Sequence, residues 1–304
     1  MAKQKIKRGD RRDGVWLRSE PAMNQFVAYL YPNRADNEAY ISEEIDLRPI
    51  EAYLAKKNEG RTEDKYTYFH VICAALAKTF VLRPKMNRFI SGNRMYARNH
   101  VSIAFVVKKR FSDRSEEGLA FRKFDENSNI DQLHDSLCEE IHEQRKEGNV
   151  DNSTYFMEKL LKCPRWVLRL IMKALFHWDR NGTVPYDLVR TDPNYASIFL
   201  ANLGSIDLNC GYHHLNNWGT NSCFVVIGKR HLAPEWHEDG SCTVRPVLNL
   251  GVTLDERIAD GYYYSKSMKL VKHLLQNPEL LELPASTPVD YLPENDKRFA
   301  LDRT

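Results

Sequence analysis

The stretch Thr253-Leu-Asp-Glu-Arg-Ile-Ala-Asp-Gly261 decides how the rest of the chain is read. Before it, Val244, Pro246, Leu248, Leu250, Val252 and Leu254 alternate with a period of two, the pattern of a strand over Thr243–Leu254. After it, a helical pattern runs from about Ala259 to Gln276 and is closed by Asn277-Pro278. Four charged side chains, Asp255, Glu256, Arg257 and Asp260, therefore stand within six residues at a strand-to-helix junction. On periodicity alone this is a solvated junction in which Asp255 or Asp260 caps the helix.

Working outward, Cys223–Ile227 and Ala196–Ala201 read as further strands. Tyr40–Leu47 reads as a strand followed by a helix that Pro49 opens and Gly60 stops. Phe69, Ile72, Cys73, Leu76, Ala77 and Phe80 form a 3.6-residue stripe, which predicts a helix over 66–82 lying against a core. Gly92-Asn93 separates two short β segments, and Val101, Ile103, Phe105 and Val107 alternate as a half-buried strand. The charged residues 110–128 read as a loop, and Ile130, Leu133, Leu137 and Ile141 as an amphipathic helix ending near Gly148. From Thr154 to Trp178 the chain is rich in Leu, Met, Phe and Trp. Its helix, Arg165–Asp179, is apolar on more than one face, which predicts packing on two sides, against its own core and against another subunit or a ligand.

These elements make one mixed α/β domain over residues 21–290 with a helical insertion at about 150–182. Residues 1–20 read as a basic N-terminal extension, a mobile arm, and 291–304 as a tail. Lys plus Arg is 44 against 41 for Asp plus Glu, so the net charge of +3 gives no field that implies nucleic acid. No apolar run approaches the ~20 residues that cross a bilayer, and the first residues lack a secretory pattern, so the expected place is the cytoplasm. The six cysteines include no Cys-x-x-Cys and the ten histidines no zinc spacing, which predicts reduced thiols and no metal. Adjacent His213 and His214 point to opposite faces of an extended segment and do not share an ion. The phosphate-binding glycine motifs and the Gly-x-Ser-x-Gly elbow are absent from the sequence.

The junction resembles a signature of the chloramphenicol acetyltransferase-like superfamily, and most closely that of the catalytic domain of dihydrolipoamide acyltransferases from 2-oxo acid dehydrogenase complexes. There it reads Ser-x-Asp-His-Arg-x-x-Asp-Gly; Thr253, Asp255, Arg257, Asp260 and Gly261 keep that spacing. Asn277-Pro-Glu-Leu-Leu281, Ala77-Lys-Thr-Phe with Arg83-Pro-Lys-Met-Asn87, Leu203-Gly-Ser-Ile206 after Asn202, and Cys223–Gly228 resemble further segments of the family. With a weaker similarity over residues 26–57, the resemblance covers most of the chain.

The resemblance implies an α/β fold, a mixed-sheet sandwich with flanking helices. It implies a homotrimer, or a multiple of one, with active sites between chains. It implies coenzyme A or an acyl-coenzyme A as substrate, a small-molecule acyl donor and acceptor, and no metal. No lipoylation segment precedes the catalytic region, so a stand-alone unit without a covalently attached lipoyl group is expected. The family's catalytic His position holds Glu256. That base takes a thiol proton, work for a group titrating near neutrality, and a glutamate, ordinarily near 4.3, suits it after burial raises it by roughly two units. Asp260 keeps the position of a residue that holds the site's architecture through an arginine. The oxyanion-stabilising hydroxyl falls on Ser205 in one alignment and on Ala201, which has none, in the other. His213-His214 of a neighbouring chain either brings an imidazole, that of His214, to Glu256 or is a surface loop. Two functions follow: an acyltransferase with Glu256 as base, alone or through a partner histidine, or a catalytically silent trimeric scaffold that binds acyl thioesters.

Overall fold

A computed structural model describes residues 7–108, 117–146 and 159–291. Its spine is the strand that the alternating pattern predicts. In chain order the strands are β1 (Gly14–Trp16), β2 (Glu38–Asp46), β3 (Arg88–Ser91), β4 (Arg94–Arg98), β5 (Val101–Lys108), β6 (Glu117–Phe124), β7 (Ile198–Asn202), β8 (Cys223–Ile227), β9 (His231–Trp236) and β10 (Cys242–Asp255). The helices are α1 (Ala22–Leu30), α2 (Arg48–Lys57), α3 (Tyr68–Leu82), α4 (Ile130–Arg145), α5 (Arg165–Asn181), α6 (Tyr186–Val189) and α7 (Gly261–Gln276).

β10 is long enough to serve two neighbourhoods. Its first half pairs only with β9, so Val244 remains exposed. Its second half lies between β2 and β8, and there Val247, Leu248, Leu250, Val252 and Leu254 are all buried. The sheet runs β2-β10-β8-β7-β5-β6, with β5, β7 and β8 parallel and the remaining pairs antiparallel. A second sheet, β1-β4-β3, stands apart. The turn between β3 and β4 uses Gly92 and Asn93 at φ 56° and 60°, the left-handed pair that a two-residue hairpin requires.

One face of the large sheet is covered by α3, whose residues from Phe69 to Phe80 are buried almost without a break, flanked by α2, α4 and α7. Across the other face runs the segment 207–215. It crosses where β8 is followed by Gly228 and where β10 carries Gly251; a Cβ on Gly251 would lie 2.2 Å from the Gly211 carbonyl. Only glycine permits that approach, and it fixes the path of the His213-His214 segment.

Several elements differ from their sequence patterns for identifiable reasons. Residues 7–18 are no mobile arm. β1 pairs with β4, and Arg11 is buried, bonded to Asp13 (2.9 Å) and to Ser91 Oγ (2.9 Å). Its charge is satisfied by groups remote in sequence, which composition does not reveal. The charged segment predicted as a loop over 110–128 contains β6, an edge strand whose outward charges discourage further pairing; 109–116 lie outside the described residues. β9 escapes the pattern because Pro234 interrupts it, which an edge position tolerates. α5 packs on one side only, through Leu175 and Asp179, while Trp166, Leu170 and Trp178 are exposed. The start of the apolar stretch, 154–158, lies outside the described residues, as do most of the tail and residues 1–6.

Candidate active site

At the end of β10 the backbone turns sharply, and the turn is locked from inside. Asp255 has no exposed surface, and its carboxylate accepts two bonds from Arg257, Nε to Oδ1 and Nη2 to Oδ2, each 2.7 Å. Arg257 is itself buried and donates a further bond to the Tyr31 carbonyl at 2.7 Å. Arg34, also buried, brings its Nε to 3.7 Å from Asp255 Oδ2 and donates to the carbonyls of Ile90 and Gly219, both at 3.0 Å. Burial pushes the Arg34 guanidinium below its ordinary value, and the Asp255 charge opposes that push. The Asp-x-Arg spacing thus supplies a bidentate pair across a tight turn, and Arg34 is a partner that sequence reasoning did not identify. Its signal is faint, a lone arginine after Pro32-Asn33.

Within this frame Glu256 is fixed through its backbone, whose N–H donates to the Asn37 carbonyl at 2.8 Å, and its side chain is exposed. Tyr31, Tyr40 and Tyr262 are exposed at the same end of the fold. Asp260 is exposed too, and it is the N-cap of α7, accepting from the Tyr263 N–H at 2.8 Å. This is the capping role that periodicity alone allows. Asp260→Ala should therefore lower stability by about 1 kcal/mol, with Asp260→Asn close to neutral, in chemical denaturation. A loss several times larger would assign Asp260 a partner beyond the cap.

Ser205 lies elsewhere. It stands in the 3-10 turn Leu203–Ile206 after β7, where its Oγ donates to the Asn202 carbonyl at 2.7 Å. This turn borders a cleft of about 480 Å³ whose wall includes Val107 and Lys108 of β5, Arg145 of α4, Ala201, Ser205 and His213. Both positions proposed for the hydroxyl, Ala201 and Ser205, thus face one cavity. The His213 ring packs 4.8 Å from the Phe224 ring and lines the same cleft. His214, on the alternate face of the extended segment, is exposed with Nδ1 3.3 Å from the Leu215 carbonyl, and does not line the cleft. The basic rim of Lys108 and Arg145 was not legible in sequence, because α4 and β5 meet only in the fold.

The two halves of the candidate site do not meet within one chain. Leu254 pairs with Cys223 at the start of β8, whereas the Ser205 turn lies at the far end, where Asn202 pairs with Ile227. At about 3.3 Å per residue, five residues of β8 separate them by on the order of 17 Å. Glu256 stands at one end of the sheet, and the cleft runs along β8 from His213, packed on Phe224 near that end, to the Ser205 turn at the other.

The fold has known counterparts. Residues 187–283 match the 2-oxoacid dehydrogenases acyltransferase (catalytic domain) family. Among solved structures, the chain is similar to a probable dihydrolipoamide acetyltransferase from Listeria monocytogenes, with 14% identity and a TM-score of 0.54 over 84% of this chain and 89% of that one. The fold is that of a dihydrolipoamide acyltransferase catalytic domain. The acyltransferase fold is likewise seen in the cubic core of a pyruvate dehydrogenase multienzyme complex, at 16% identity and a TM-score of 0.51 over 86% and 89% of the two chains. It is seen again in dihydrolipoamide acetyltransferase from Azotobacter vinelandii, at 17% identity and a TM-score of 0.52 over the same shares. That structure belongs to a study of the roles of a serine, a histidine and an asparagine in the enzyme's catalytic mechanism. A comparison with curated proteins gives no match. Among the described residues, no helix is long and apolar enough to cross a membrane.

Proposed function

We propose that the protein is an acyltransferase that moves an acyl group between a coenzyme A or lipoyl-type thioester and an acceptor, with Glu256 as base in a site completed by a second copy of the chain. The observation that carries this reading is the pairing of an exposed Glu256, clamped by a buried Asp–Arg frame, with a Ser205 turn that one chain holds at the opposite end of its sheet, on the rim of a cleft. In the Azotobacter enzyme the histidine and asparagine are four residues apart, as are Glu256 and Asp260 here. A neighbour laid over Glu256 and the exposed tyrosines beside it withdraws the carboxylate from water, the condition under which a glutamate suits thiol deprotonation.

With a thiol acceptor the chemistry is one addition and one elimination. The acceptor sulfur bonds to the acyl carbon as Glu256 takes the thiol proton, and the carbonyl oxygen becomes an oxyanion. Ser205, rotated from the Asn202 carbonyl, donates to it. Collapse breaks the donor's C–S bond, and the departing thiolate regains a proton from Glu256. In this reading the arm of the thioester takes the cleft, and the lining cations Lys108 and Arg145 support it by offering charge to its phosphates. A second reading, a silent trimeric thioester-binding scaffold, draws on Asp260 being used as a helix cap and on the Ser205 hydroxyl being bonded locally.

Three measurements separate these readings. Light scattering should give a homotrimer or a multiple of it; a monomer at micromolar concentration ends the shared site. Coenzyme A in excess should raise the melting temperature, as any ligand bound only by the native state does. Thiol release from a panel of acyl-coenzyme A donors should depend on added acceptor. Release from none of them by a trimer that coenzyme A stabilises would establish the scaffold.

A further inference from the structure

On the helical side of the sheet, α3 and α4 bring together three buried side chains that the sequence separates: His70, His134 and Cys138. We infer that His70, His134 and Cys138 form a binding site for a single zinc-type divalent cation that ties α3 to α4.

The geometry is that of a tetrahedral ion's ligand shell. A Zn–S bond of about 2.3 Å and Zn–N bonds of about 2.0–2.1 Å at the tetrahedral angle place sulfur and nitrogen about 3.6 Å apart. Cys138 Sγ lies 3.8 Å from His70 Nε2 and 3.5 Å from His134 Nε2. All three ligand atoms fall within 4.8 Å of one another. His134 and Cys138 share one face of α4 by their i, i+4 spacing, and α3 supplies His70 opposite.

An outer partner is in place for His134. A metal-bound histidine generally donates its other ring N–H to an oxygen. Here His134 Nδ1 is 3.0 Å from Asp135 Oδ1, and His70 Nδ1 is 3.0 Å from Thr67 Oγ1. In the metal-free protein His70 Nδ1 also receives the Thr67 N–H at 3.1 Å, and His134 Nε2 lies 2.9 Å from the Asp64 carbonyl. Binding through both Nε2 atoms therefore moves each ring proton to Nδ1, gives up the Thr67 N–H bond that caps α3, and releases the Cys138 thiol proton to solvent. Tyr66 stacks on the His134 ring at 3.8 Å and closes the cluster.

The sequence shows no zinc spacing because two of the three ligands sit on one helix and the third lies on another, 68 positions before Cys138. Protein freed of metal by a chelator and titrated with Co²⁺ should bind one equivalent and develop a thiolate-to-cobalt charge-transfer band, which Zn²⁺ then abolishes by displacement. Cys138→Ser should lose that band and weaken zinc binding by more than the roughly 10- to 100-fold that loss of an outer partner costs. If the variant does not fold, peptide mapping of the wild-type protein decides instead: Zn²⁺ should protect Cys138 from alkylation under partly denaturing conditions. No stoichiometric cobalt binding overturns the site. So does a band that survives in Cys138→Ser, which would place the sulfur on another cysteine, or alkylation of Cys138 that zinc leaves unchanged.

Discussion

Glu256→Gln should lower acyl transfer by about a hundred- to ten-thousandfold, the range of a lost general base, while the folded protein and its assembly persist. The structure explains why the change separates chemistry from folding. The Glu256 side chain is exposed, and its position is set by the backbone bond to Asn37 and by the buried Asp255–Arg257 pair, none of which involves its carboxylate. An amide of nearly the same shape leaves those contacts intact and removes only the ability to accept a proton. The reverse substitution, Glu256→His, places an imidazole at the position that the sequence resemblance assigns to the family's histidine. Faster transfer by that variant would mean that the remaining site is complete and only the base differs. If neither substitution changes any transfer rate in an intact assembly, Glu256 has no part in the reaction and the scaffold reading stands.

The extent to which this site could be read in sequence follows the range of the interactions. β10 and α7 are written in local periodicity, and the junction between them is marked by four charges in six residues, so its position was legible. The role of each charge was not. Asp255 and Arg257 form the buried pair, Asp260 caps the helix, and Arg34 joins them from more than two hundred positions upstream. Only the fold decides which of four similar charges is desolvated. The N-terminal strand was missed for the same reason, since Arg11 reads as a surface charge until Ser91 and Asp179 appear beside it. α1 was missed because its apolar residues Met23, Phe26 and Tyr29 remain exposed and announce no core. The cleft depends on elements from four parts of the chain, and the His70–His134–Cys138 cluster on two helices, so neither has a local signature.

Asp255→Asn should cost about 3–5 kcal/mol of folding stability, the range for removing one member of a buried ion pair. The loss comes from what remains. Asp255 is fully buried, and so are Arg257 and Arg34, so deleting its charge leaves two guanidinium groups without their shared counter-charge. The amide also turns an N–H₂ toward an arginine that can only donate. Removing both members, Asp255→Leu with Arg257→Met, should recover only part of the stability in denaturant titration, because the buried pair is replaced by apolar side chains while Arg34 still lacks its counter-charge. Activity should not return with it. The pair fixes the turn from which Glu256 projects, and an apolar turn loses the two 2.7 Å bonds that set that direction. A double variant that regains both stability and turnover would show that the direction of Glu256 is set elsewhere, and a single variant that loses less than about 1 kcal/mol would place the pair among ordinary surface ion pairs.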